Sequence, residues 1–91
     1  MRVVWDPKKS AANAKKHRIL FVDAATVLDD PLALTIPDER HDEQRFATLG
    51  SDHYARLLVV IYTYDGVGDI RLISARKATR RERRKYENDA R

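Results

Sequence analysis

A handful of polar side chains in this sequence are of the types that phosphoryl transfer needs. Lys16 and His17 close a helical segment, Glu43 and Arg45 flank the entry to a strand, Arg71 and Arg76 bracket the last strand, and Tyr86 lies beyond it. A base drawn from His, Glu or Lys could take the proton of a ribose 2′-hydroxyl. Arginines could stabilise a five-coordinate phosphorus, and an acid could protonate the departing oxygen. Metal-free RNA cleavage can be run with such groups. Other chemistries lack their spacing: His17, His41 and His53 are scattered, and there is no HExxH, no glycine-rich phosphate loop and no serine elbow. The chain has no cysteine, which excludes disulfides and thiolate metal sites. No cofactor is implied.

Each of these residues also has a plainer reading. His17 can be a helix-end cation answering the helix dipole. Glu43 and Arg45 can form a surface pair of little energetic weight. Arg71 and Arg76 can be solvated edge residues or contacts for a protein partner. The run from Arg80 to Lys85, with Arg80 and Arg83 in it, can be a solvated helix face or a nucleic-acid contact, and Tyr86 can belong to the core. Residue type alone leaves these alternatives open.

The element that must position the set is the apolar run Leu57–Tyr64, which reads as a central strand buried on both faces. The loop Asp65-Gly66-Val67-Gly68-Asp69 returns the chain into an antiparallel strand over 70–75. Thr79-x-x-Glu82 then opens a C-terminal helix that runs to about Asn88. Upstream, Val3-Val4-Trp5 reads as a short strand or edge, and Asp6-Pro7 as a helix start with Pro at its first position. Asn13 in mid-helix competes with its own backbone, so a tertiary role is expected for it, such as holding His17 or satisfying a loop. Phe21, Ala24, Ala25 and Leu28 form an apolar helical stripe that Asp29-Asp30-Pro31 ends. Strands are expected at 32–36, closed by Pro37-Asp38, and at 45–50. A charged connection over 38–43 joins them, and a turn follows over 51–54.

Ninety-one residues, 43% of them hydrophobic, suffice for one domain, residues 1–91. The expected architecture is α+β: two N-terminal helices and a C-terminal helix packed on one face of a small antiparallel sheet. Charge is segregated. Residues 1–18 carry six Lys/Arg against one Asp, residues 19–70 three against ten acids, and residues 71–91 nine against three. Two basic ends flanking an acidic middle suit a nucleic acid or an acidic protein partner. No stretch has signal-peptide or membrane-span length, so a cytoplasmic location is expected.

Taken together, the motifs resemble a known family. Val4-Trp5-Asp6-Pro7-x-Lys9, Asn13-x-x-Lys16-His17 and Phe21-x-x-Ala24-x-x-Val27-x-x-Asp30-Pro31 are similar to the N-terminal half of BrnT toxins. Glu43-x-Arg45-Phe46-x-x-x-Gly50, the spine Leu58–Thr63, and Arg71-x-Ile73-Ser74-Ala75-Arg76-x-Ala78-Thr79-x-x-Glu82-Arg83-x-x-Tyr86 are similar to the rest. The resemblance implies a RelE-like fold and a metal-independent endoribonuclease that arrests translation. It implies neutralisation by a BrnA-type antitoxin in a heterotetramer that represses its own operon, with DNA contacted only through the antitoxin. It places His17, Glu43, Arg45 and Arg76 in catalysis, with Lys16, Arg71 and Tyr86 behind them on the RNA; Arg80 and Arg83 join them as expected RNA contacts from the basic run itself. A non-catalytic relative acting as binding partner or co-repressor, or a general nucleic-acid-binding domain, is the alternative. Two positions depart from the family pattern: Arg18 stands where a left-handed Gly is usual, and Leu20 where a helix-capping Ser is usual.

Overall fold

The Asp6-Pro7 signal forms a helix start as expected: the Asp6 carboxylate accepts the Lys8 N–H at 2.8 Å, and α1 runs Pro7–His17. The computed structural model describes residues 2–39, 42–66 and 68–89; Arg40 and His41, in the charged connection, and Val67, in the hairpin loop, lie outside them. Lys15, Lys16 and His17 occupy the last turn of α1, where cations complement the helix dipole. Arg18 ends the helix in the left-handed conformation, at φ 60°, and its N–H reaches the Ala14 carbonyl at 2.9 Å. The side chain here is therefore held where glycine would sit at less cost.

The second helix departs from expectation. Leu20 offers no side-chain cap, α2 spans only Phe21–Ala24, and the chain tightens into a 3-10 segment over Ala25–Asp29. The Thr26 hydroxyl donates back to the Asp23 carbonyl at 2.6 Å, which favours the tighter turn. With about three residues per turn, Phe21, Ala24 and Val27 align and are fully buried, while Ala25 and Leu28 are only partly buried.

Five strands follow the order β1-β5-β4-β3-β2, with β1 Val3–Val4, β2 Leu34–Asp38, β3 Arg45–Ser51, β4 Leu57–Asp65 and β5 Asp69–Lys77. The sheet is mixed rather than antiparallel, because β1 runs parallel to β5, pairing Val3 with Ile70 and Val4 with Arg71. Local alternation predicts strands but not the direction in which a distant N-terminus docks. Pro37 lies inside β2 rather than closing it. An edge strand tolerates this, since it has only one neighbour to bond. Between β4 and β5 the register slips: Ile61 pairs with Ser74 and Tyr62 with Leu72, leaving Ile73 as a bulge.

Alternation along β4 divides the core between two faces. Leu58, Val60 and Tyr62 meet Ile19, Phe21, Ala24 and Val27 on one side, with Trp5 packed edge-on to Phe21. Leu57 and Val59 meet Leu49, Ala78 and Tyr86 on the other. The C-terminal helix α3, Arg80–Asp89, therefore lies across the sheet from α2, not beside it. Gly50 shows how closely the 3-10 segment approaches β3: a Cβ there would sit 3.0 Å from Val27 Cγ1 and from Ala33 Cβ.

Candidate active site

The open part of the second face carries the arginines. Arg71 lies opposite Thr63 and Arg76 opposite Val59, four residues apart on β4, or about 13 Å along the strand. Arg45 begins β3, opposite Asp38 of β2. Between them the floor is apolar: Ile36, Ala47, Val59 and Ile61 line a groove of about 370 Å³, with Asp38, Arg76 and Glu82 also in its walls. An apolar floor between cations strengthens their pull on a phosphate.

At one end of this face, Glu43 joins two strands. Its Oε1 accepts from Arg45 Nε at 3.2 Å, and its Oε2 from Arg71 Nη2 at 3.2 Å. Asp65 lies 3.8 Å from Arg71 Nε. The loop bearing Glu43 is tied to β4 where the Thr63 hydroxyl donates to the Gln44 carbonyl at 2.6 Å. Arg45 and Arg71 are partly exposed, so a phosphate can reach them by displacing one carboxylate.

At the other end, Arg76 meets α3. Its Nη1 and Nη2 donate to Glu82 Oε1 and Oε2 at 2.8 and 3.0 Å, and Nη1 also donates to the Lys77 carbonyl at 3.2 Å. Donation from Arg76 is the main reason that the Glu82 carboxyl falls from 4.5 to about 2, against the opposing effect of partial burial. Glu82 was legible in the sequence only as a capping residue, and Asp38 only as the end of a strand. Nothing in the sequence shows that the turn after β5 folds α3 back over Arg76.

His17 and Lys16 lie elsewhere. With Lys9, Asn13, Ile73 and Ser74 they line a separate recess of about 320 Å³ between α1 and the β5 edge. Asn13 builds that seam. Its amide donates to the Ala75 carbonyl at 2.9 Å and to the Ile19 carbonyl at 3.0 Å, and it accepts the Ala75 N–H at 3.0 Å. The expected tertiary role of Asn13 is thus to finish a strand edge and a loop. The Ser74 partner on β4, Ile61, lines the arginine groove, so the recess and the groove are neighbours across β5.

The remaining expected residues are on α3. Arg80 and Arg83 are exposed, and Arg83 Nη1 lies 3.9 Å from Glu87. The Tyr86 hydroxyl donates to Asp30 Oδ2 at 2.7 Å; that bond, with partial burial, raises the phenol to about 12. Tyr86 is thereby a tether between α3 and the end of the 3-10 segment. Among the described residues, no group of three or more His, Asp or Glu is arranged to hold a metal, and no helix is long and apolar enough to cross a membrane.

A family model described as "Ribonuclease toxin, BrnT, of type II toxin-antitoxin system" matches residues 5–82. The chain belongs to the BrnT toxin family. Its structure is similar to the 1.1 Å crystal structure of the Brucella abortus ribonuclease toxin BrnT, with a TM-score of 0.71 and 26% sequence identity over 88% of this chain and 99% of that one. No individually curated protein matches it. The family match contains Lys16, His17, Glu43, Arg45, Arg71, Arg76 and Arg80 and ends on Glu82, while Arg83 and Tyr86 lie beyond it. Membership in a type II toxin–antitoxin family implies an antitoxin partner for this BrnT protein.

Proposed function

We propose that this BrnT protein is a metal-independent endoribonuclease whose RNA lies across the arginine face of the sheet. The observation that carries the reading is the fixing of Arg45, Arg71 and Arg76 on one open face, with Glu43 shared between the first two. Glu43, on the arginine face, and His17, reaching the same phosphate from the neighbouring recess across β5, form the proton-transfer pair. One removes the 2′-hydroxyl proton as that oxygen attacks the adjacent phosphorus; the other protonates the 5′-oxygen as its bond to phosphorus breaks. The products are a 2′,3′-cyclic phosphate and a free 5′-hydroxyl. The arginines stabilise the charge on the five-coordinate phosphorus. Lys16, at the recess beyond Ser74, and Arg80 and Arg83, on the exposed side of α3, guide the flanking strand.

On this reading the fold is RelE-like, and cleavage in the cytoplasm arrests translation. A BrnA-type antitoxin, in a heterotetramer that contacts operator DNA through the antitoxin, neutralises the activity. The test is growth arrest on expression without antitoxin. Arg45→Ala and Arg76→Ala, each verified as folded, lower cleavage about 100-fold or more, the usual cost of losing one charge-stabilising donor. If both folded variants arrest growth as the parent does, the arginine face is not the active site.

A further inference from the structure

Glu82 serves two partners with one carboxylate. It closes a capping box: Oε1 accepts the Thr79 N–H at 2.8 Å, and the Thr79 hydroxyl accepts the Glu82 N–H at 3.2 Å. The same carboxylate grips Arg76 on both terminal nitrogens, at 2.8 and 3.0 Å. A fork on a carboxylate sets the plane of a guanidinium as well as its position. The pair is about a third exposed on each side, so it adds little to folding stability. α3 has no fully buried residue, and only Tyr86 of the helix packs against the core patch of Leu49, Leu57 and Val59. What the pair does fix is two of the contacts of the Arg76 guanidinium.

We propose that Glu82 is a positioning residue: it holds the Arg76 guanidinium in the plane that meets the phosphate undergoing cleavage, without touching the RNA itself. The inference rests on Arg76 acting on that phosphate, as proposed above. The capping box anchors the carboxylate to its own helix start. A carboxylate tied in this way stays in place as RNA binds, whereas a loose counter-ion would be exchanged for the phosphate. Arginine without such a partner has many rotamers and presents its fork in few of them.

Glu82→Gln isolates the function, because glutamine also completes a capping box while losing the charge that orients Arg76. Cleavage of a short RNA oligonucleotide by purified protein is expected to lose roughly 10-fold in kcat, with KM near that of the parent and only a small drop in melting temperature. Thr79→Ala removes the hydroxyl half of the box but keeps the Thr79 N–H on the Glu82 carboxylate, so it lowers the melting temperature and costs less in kcat than Glu82→Gln does. Arg76→Lys, which lacks the fork, loses about 100-fold. Adding Glu82→Gln to it costs less than a further twofold, since there is no plane left to set.

A Glu82→Gln enzyme as fast as the parent, or faster, overturns the proposal; a faster one would mean the carboxylate masks Arg76. Equal losses from Glu82→Gln in the parent and in the Arg76→Lys variant overturn it as well. Arg76→Lys at parental rate removes the role of Arg76 and the inference with it. A parent protein that cleaves no RNA in this assay defeats the ribonuclease reading itself, separately from these comparisons.

Discussion

The two longer helices of this molecule are both polar, yet they are held to the sheet by opposite means. α1 buries one residue, Asn13, a neutral amide that makes three hydrogen bonds to backbone groups of β5 and of the loop after α1. α3 buries none. It is held by Glu82 on Arg76, by Tyr86 on Asp30, and by the contact of Ala78 and Tyr86 with the patch of Leu49, Leu57 and Val59. A buried neutral pin is expensive to break and indifferent to pH, because each backbone group it satisfies would otherwise lie unpaired. Half-exposed ionisable pins are weaker and respond to solution conditions. The arginine proposed to meet the scissile phosphate hangs on the second kind.

The largest effect therefore belongs to α1. Asn13→Ala leaves the Ala75 N–H and two carbonyls without their partner in a site only 6% exposed, and should cost about 3 kcal/mol. In urea denaturation the midpoint should drop with the slope unchanged. A loss below about 1 kcal/mol would mean that water replaces the amide, and the contrast between the helices would shrink accordingly.

That contrast was half visible in the sequence. Asn13 was readable as a residue with a tertiary role, because mid-helix asparagine is locally unfavourable, and the Thr79-x-x-Glu82 box fixed where α3 starts. The apolar run Leu57–Tyr64 was legible as the central strand because burial on both faces leaves no alternation. Three features were hidden because they depend on distant chain or on single side chains. The parallel docking of β1 joins residues 3 and 70, and the placement of α3 opposite α2 depends on a turn after Lys77. The shortening of α2 into a 3-10 segment turns on a Thr26 back-bond that an apolar stripe does not show, only the missing cap at Leu20 being legible. Of the proposed site residues, Glu43, Arg45, Arg71 and Arg76 share a face, which strand spacing alone did not show. His17 and Lys16 lie in the adjoining recess, because α1 packs on the edge of β5 rather than on the arginine face.

A smaller effect is expected at the far pin. Tyr86→Phe removes the hydroxyl from Asp30, which keeps the N–H groups of Ser51 and Leu32, so the cost is about 1 kcal/mol. The change should be local. Amide exchange should quicken along α3 and stay as it was along α1; uniform quickening across both helices would make Tyr86 part of the global core instead.

Mildest, and most diagnostic of the difference, is the response to pH. The Glu82 carboxyl sits at about 2 in the folded protein against an ordinary 4.5, chiefly through donation from Arg76. An acid so depressed stabilises the fold in its ionised form, so its contribution is complete above about 4.5 and drains away as pH falls towards 2. Asp30 is also lowered: burial pushes it up, but the Ser51 N–H, the Tyr86 hydroxyl and the Leu32 N–H outweigh that push. Its share is lost on the same acid side. Tyr86 moves the other way, to about 12 from 10, because its hydroxyl donates to the Asp30 carboxylate. Its contribution is whole below pH 10 and drains as pH rises through 12. The amide that pins α1 does not titrate in either range. Amide exchange corrected for intrinsic rates should thus show α3 loosening relative to α1 below about pH 4 and above about pH 11, with a plateau between. If the two helices loosen in parallel at both extremes, the pins on α3 are not ionic, and the orientation of Arg76 does not depend on them.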